Sequence, residues 1–183
     1  MFKIVISILI VSSVSIASTI KFNSKDGRTE FLAVGKPAMI KIKGHGEGPV
    51  GNLKFEKDMV SGTLSVDLSK LTTEIDLRDD HMKNKYLEIH KYPNAEIAVK
   101  NLKVPNLTEK ETEVPFTADF TLHGKTQPIS GTALIKKKDD QILGTANFDL
   151  KIINYLDTLP SYSGIKVAED VKVTIELNGV VAK

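Results

Sequence analysis

Val60, Gly62, Leu64, Val66 and Leu68 alternate with Ser61, Thr63, Ser65, Asp67 and Ser69. A period of two puts one set on the buried face of an extended strand and the other on its wet face. The same alternation runs through Val114, Phe116, Ala118, Phe120 and Leu122 against Pro115, Thr117, Asp119, Thr121 and His123. It returns in Ala146, Phe148, Leu150 and Ile152, and in Val171, Val173, Ile175 and Leu177 against Lys172, Thr174, Glu176 and Asn178. Less regular strands fit residues 19–22, 29–34, 38–43, 51–55, 95–102 and 129–136. Turn-forming residues separate them: Lys25-Asp26-Gly27, Gly44 to Gly48, Val104-Pro105-Asn106, His123-Gly124-Lys125 and Lys138-Asp139-Asp140. Many short alternating strands with no helices between them specify an all-β antiparallel sandwich or barrel. Phe120 and Phe148 sit on the apolar parity of their strands, which predicts a place in a packed core or on a cavity wall.

A chain of 183 residues with 41% hydrophobic and 26% charged residues can bury one core without cross-links. The formal net charge of +2 comes from scattered lysines and acids with no basic stripe, which argues against nucleic acid as a partner. Lys3, the apolar run Ile4 to Val11 and the small residues of Ser15-Ile16-Ala17 read as a signal peptide over residues 1–17, removed after Ala17 or Ser18. The run is too short to span a bilayer. With no cysteine there is neither a disulfide nor a thiol for lipidation, so residues 18–183 are expected to form one soluble domain, periplasmic or secreted, with no stable membrane anchor.

Two segments break the alternation. In the first, IDLRDDHMKNKYLEIHKYPNA from Ile75 to Ala95, Asp79 or Asp80 can cap a short helix through His81 to Leu87. Met82, Tyr86 and Ile89 then share one face, with Leu87 beside them. The second, residues 154–170, is a long loop carrying Tyr155, Leu159, Pro160, Tyr162 and Ile165. So apolar a helix and loop must rest on something, and an open end of the sheet is the natural place.

These residues also carry a family resemblance. Leu71-Thr72-Thr73, Arg78-Asp79-Asp80-His81-Met82, Tyr86-Leu87 and Lys91-Tyr92-Pro93-Asn94-Ala95 resemble the central signature of the YceI-like family: Thr, Arg-Asp-x-His-Leu, an aromatic and Tyr-Pro. The strand Ala118 to Leu122, with His123-Gly124-Lys125-Thr126-Gln127-Pro128, and the closing Asp170 to Ile175 are similar to that family's later strands. Met82, Tyr86 and Leu87 stand where many members have Leu and paired Phe, and Asn154-Tyr155 and Ser163-Gly164 depart from the family's loop. The resemblance implies an antiparallel lipocalin-like β-barrel of about eight strands, with the short helix and long loop near its mouth. It also implies an interior that holds an isoprenoid quinone, a polyprenyl or a fatty-acyl lipid. Arg78, His81, Met82, Tyr86, Leu87, Phe116, Phe120, Phe148, Tyr155, Leu159, Tyr162 and Ile165 are the expected ligand-binding residues. No cofactor is implied, and the oligomeric state is left open, a dimer included.

Other chemistries are weaker. His45, His81, His90 and His123 lack the i, i+2 or i, i+4 spacing of a zinc motif. His123 falls on the wet parity of its strand, which favours a turn role, and His45 lies in a Gly-rich turn where exposure is expected. Arg78, Asp79, Asp80 and His81 could form a histidine base with an orienting carboxylate and an anion holder. They could equally form a helix cap and ion pair at the barrel mouth, which needs no nucleophile. There is no Gly-x-Ser-x-Gly elbow, cysteine or phosphate loop. A non-catalytic binding role is therefore expected, with an enzyme using Arg78, Asp80 and His81, or a structural interaction protein, as alternatives. N-terminal sequencing of the exported protein should start near Ser18 or Thr19; a mature protein that keeps Met1 would overturn the signal-peptide reading.

Overall fold

The computed structural model describes residues 18–37, 40–105 and 107–182. The expected signal peptide, Ala38 and Met39 of the third expected strand, and Asn106 lie outside them. The alternating segments form β1 (Ser18–Phe22), β2 (Arg28–Lys36), β3 (Ile40–Glu47), β4 (Val50–Glu56), β5 (Met59–Asp67), β6 (Asn94–Lys103), β7 (Thr112–Leu122), β8 (Lys125–Lys138), β9 (Gln141–Lys151) and β12 (Asp170–Ala182). Within residues 154–170 two further strands appear, β10 (Ser161–Tyr162) and β11 (Ile165–Val167).

All pairings are antiparallel, and they close. The ladder runs β1-β4-β5-β6-β7-β8-β9-β12, and β12 pairs back onto β1 from Gly179 to Ala182. The same β12 pairs with β2 from Lys172 to Glu176, so β1 and β2 act as two halves of one stave beside it. The barrel is thus an eight-stranded meander. Closure removes the free edges of the eight-stave ladder, leaving β3 and β10 as strands with an unpaired side among the described residues.

Inward parity follows the sequence pattern. Val114, Phe116, Ala118, Phe120 and Leu122 are all buried, as are Ala146, Phe148, Leu150 and Ile152, and Val171, Val173 and Ile175. The Phe148 ring packs between Phe116, at 6.2 Å, and Phe120, at 5.7 Å between centroids.

Gly44 to Gly48 does not make the expected turn, because β3 runs through Gly44 and Gly46. These glycines are present for close approach: a Cβ on Gly44 would lie 2.2 Å from the Phe31 ring, and one on Gly46 would lie 2.9 Å from the Lys70 carbonyl. His45 is accordingly half-buried rather than exposed. Its backbone exchanges two hydrogen bonds with Thr72, at 2.9 and 2.8 Å, and so ties β3 to the segment that follows β5.

Truncating Phe148 to Ala should cost about 3–5 kcal/mol in urea unfolding, since it removes a ring held on both sides by other rings. A change below about 1 kcal/mol would show that this part of the core is loosely packed.

Candidate functional site: an apolar barrel cavity and its mouth

A barrel of eight strands has an interior that side chains can only just fill, so the size of the inward residues decides whether it is solid. Here many are small: Ala33, Ala95, Ala133 and Ala146 all face the interior. The larger ones are drawn to the wall. Phe22, Phe31 and Phe116 lie opposite Gly179, Gly44 and Gly131 on neighbouring strands. A Cβ on these glycines would come within 2.6, 2.2 and 2.8 Å of the facing ring. Each ring therefore rests on a glycine backbone instead of reaching across the barrel. What remains is a cavity of about 550 Å³ lined almost wholly by apolar side chains. That lies within the roughly 300–1,000 Å³ range typical of small-molecule sites.

The exposed residues on its lining are Ile40, Ile75, Leu77, Ser161 and Tyr162, all at one end of the barrel. This end is covered from one side by a helix. It begins as α1 (Asp76–Asp80) and continues as a π-helical turn over His81–Tyr86. Neither Asp79 nor Asp80 is its N-cap, contrary to the sequence expectation, because the helix starts earlier, after Ile75. Asp79 instead reaches back to the preceding loop. It accepts from Thr72 Oγ1 at 2.6 Å, from the Thr73 amide at 2.7 Å and from the Thr73 hydroxyl. Partial burial opposes its charge, but the bonds from Thr72 and Thr73 outweigh it and hold the carboxyl below its ordinary value. Arg78 forms no ion pair with a described residue; its Nε donates to Thr73 Oγ1 and its Nη2 to the Thr73 carbonyl, both at 2.8 Å.

From the other side the mouth is covered by the β10–β11 hairpin, which adds to β2 through Lys166 and Val167. Helix and hairpin are joined by the hydrogen bonds of Tyr86 and by a ring contact. The Tyr86 hydroxyl donates to the Ser161 carbonyl at 2.9 Å and accepts from the Ser161 amide at 3.0 Å. Beside it the His81 and Tyr162 rings lie 5.5 Å apart. The end of the helical segment is fixed by Glu88, whose carboxylate lies 2.7 Å from His123 Nε2 and 2.9 Å from Lys91 Nζ. His123 occupies the β7–β8 turn with φ of +51°, but it is buried, not wet, beneath Tyr92 at 4.5 Å. Period two predicts the wrong face because the strand has already ended at Leu122.

Of the expected ligand-binding residues, Arg78, His81, Met82, Tyr86, Leu87, Phe116, Phe120, Tyr162 and Ile165 line the cavity. Phe148, Tyr155 and Leu159 do not. Phe148 and Tyr155 form the layer behind Phe120, with Tyr155 edge-on to it at 5.6 Å, and half-buried Leu159 packs against the same core. Sequence parity separates inside from outside, but it cannot separate cavity wall from filled core. Ile40, Ile75 and Leu77 are mouth residues that the sequence reading missed; their sole signal was apolarity beside a turn or helix start.

The cluster that resembled an acid-base site is committed elsewhere. Asp79 and Arg78 bind the Thr72-Thr73 loop, and Asp80 accepts from Asn84 Nδ2 at 2.7 Å. None of these carboxylates touches His81, whose ring contact is Tyr162. Among the described residues no three His, Asp or Glu side chains converge as a metal site would require.

The site and fold define a closed antiparallel barrel with an apolar cavity opening beneath a helix and a hairpin. Its sequence matches the profile of the YceI-like domain over residues 14–179, and the chain belongs to that family. Among solved structures it is similar to a polyisoprenoid-binding domain from Saccharophagus degradans, at 16% identity and a TM-score of 0.70, covering 89% of this chain and 98% of that one. It is also similar to BcnA of Burkholderia cenocepacia, at 14% identity and 0.70, covering 86% and 98%. A third likeness is the YceI protein of Campylobacter jejuni, at 20% identity and 0.57, covering 78% and 85%. At these identities the likenesses speak to the fold. Comparison with curated protein sequences finds no match.

Two predictions follow from the mouth. Because the Asp79 carboxyl lies below its ordinary value of 3.8, its contribution is complete above that value and drains away as pH falls through the lower folded one. The Tm difference between wild type and Asp79→Asn should therefore be largest near neutral pH and narrow in acid; a difference that does not vary with pH would contradict it. Tyr86→Phe should accelerate hydrogen exchange of the Ser161 amide while leaving exchange in β7 and β8 unchanged.

Proposed function

We propose that this protein is an exported binding protein that holds a polyisoprenoid or other long-chain lipid in its barrel, for transport or storage. The observation that carries the reading is the apolar cavity of about 550 Å³, open at one end. Burying apolar chain against such a wall is favourable without any polar complement, at roughly 0.8 kcal/mol per methylene. A slender amphiphile fits this pattern, with its chain inside and its head at the mouth. The relative from Saccharophagus degradans, described as a polyisoprenoid-binding domain, supports the same class of ligand.

In this reading Phe116 and Phe120 flank the chain deep in the barrel, and Met82, Leu87 and Ile165 cover it near the opening. The head group lies among Arg78, His81 and Tyr162. Arg78 spends its Nε–H and one Nη2–H on Thr73, so the two Nη1–H and the second Nη2–H are the donors left for it. The Tyr86 hydroxyl is engaged away from the head group, since both of its hydrogen bonds go to Ser161. An isoprenoid quinone, a polyprenyl and a fatty-acyl lipid all meet these requirements. Among the described residues lining the cavity the one histidine, His81, has no hydrogen bond to a carboxylate, and a binding role requires none.

The test is a titration with homologous lipids of increasing prenyl or acyl length. Each added methylene should tighten binding about fourfold until the cavity is full, with a plateau beyond, and head-group changes should matter less. Affinity that does not depend on chain length would overturn the proposal.

A further inference from the structure

We propose that the mouth of the barrel is a docking surface for a bilayer containing anionic lipid, with the lip formed by β2, β3 and β11 seated on the membrane. The proposal rests on the lipid-holding reading above and adds the surface at which the lipid is exchanged.

Nine large apolar side chains are exposed among the described residues, and four of them share this one opening: Ile40, Ile75, Leu77 and Tyr162 are 42, 51, 53 and 61% exposed and all line the cavity. They form a continuous path. Ile40 pairs with Gly35, over which the Ile165 side chain lies; Ile165 pairs with Tyr162; and Tyr162 meets His81, one helical turn beyond Leu77. An apolar rim continuous with an apolar interior gives a lipid chain a route that need not cross water.

The charge beside this rim favours one occupant. Ile40, Ile165 and Val167 face the cavity, so Lys36, Lys41 and Lys166, at the alternate positions, project from the outer face of the same lip. Lys36 and Lys166 stand directly opposite each other in the β2–β11 pair, an arrangement that costs stability when unrelieved. None of these three lysines takes part in an ion pair with a described residue. The helix side of the mouth mixes Glu74, Asp76, Asp79 and Asp80 with Arg78, Lys83 and Lys85, so its charges largely offset one another, whereas the three lysines of the other lip take part in no ion pair with a described residue, and that lip is the one set toward the membrane. An anionic surface would accept the lysines while the adjacent Ile40 and Tyr162 enter its interface.

Flotation with vesicles tests this. The purified protein is incubated with vesicles of phosphatidylcholine alone, or of phosphatidylcholine and phosphatidylglycerol in equal parts. It should float with the anionic vesicles and not with the neutral ones, and high salt should weaken the association. The double variant Lys36→Glu/Lys166→Glu should lower the partition onto anionic vesicles by about tenfold or more. Its lipid affinity in free solution should stay unchanged, since neither side chain lines the cavity. Lys137→Glu/Lys138→Glu, at the β8–β9 turn on the far end of the barrel, makes the same change in net charge and should leave flotation near the wild-type level.

Equal loss in both variants would overturn the proposal in favour of a general charge effect. Failure of the wild-type protein to float would overturn it too, whether or not the cavity binds lipid, as would a stable dimer that covers the rim and does not float. Flotation that depends on Lys36 and Lys166 supports the docking surface even if the lipid titration fails, so the two proposals fall separately.

Discussion

The structure depends on the length of its last strand. β12 extends from Asp170 to Ala182, far enough to pair with β9 along one side and with both β2 and β1 along the other. Without that pairing the sheet would end in two open edges with an apolar inner face between them. With it, every inward residue faces another across an enclosed space, and the protein can expose its polar parity to water. The cavity is a consequence of this closure: eight staves fix the diameter, while the alanines and the phenylalanines resting on glycines fail to fill it.

One end of the barrel is elaborated and the other is not. The long connections, residues 68–93 and 152–169, both lie at the mouth, whereas the β4–β5 and β8–β9 turns at the opposite end are short. The mouth is assembled largely by hydrogen bonds: backbone to backbone between His45 and Thr72, and side chain to backbone from Asp79 and Arg78 to Thr73 and from Tyr86 to Ser161. This division suits a binding protein. The wall must be permanent, but a lid held by a few directional bonds can open without disturbing the ladder below it.

Much of the barrel was legible because period two is a strong signal: the ten alternating segments correspond to β1–β9 and β12, and Phe116, Phe120 and Phe148 all face inward. The errors fall where a residue has more than one use. Gly44 and Gly46 read as a turn, yet they allow Phe31 and Leu71 to approach the backbone. Asp79 read as a cap, yet it holds the loop before the helix, the same loop whose Thr72 bridges to β3. β10 and β11 read as loop because strands of two and three residues leave no periodicity to detect. The difference between Phe120, which borders the cavity, and Phe148, which lies behind it, depends on tertiary packing that no single strand encodes.

The proposed lipid-holding role requires that the closed wall enclose space for one long-chain lipid. Native mass spectrometry of protein prepared from its natural host without detergent tests it most directly. A species carrying one amphiphile per chain should appear, with a mass shift that matches a lipid recovered by organic extraction. A bare chain that takes up no lipid of any length when mixed with it would contradict the account.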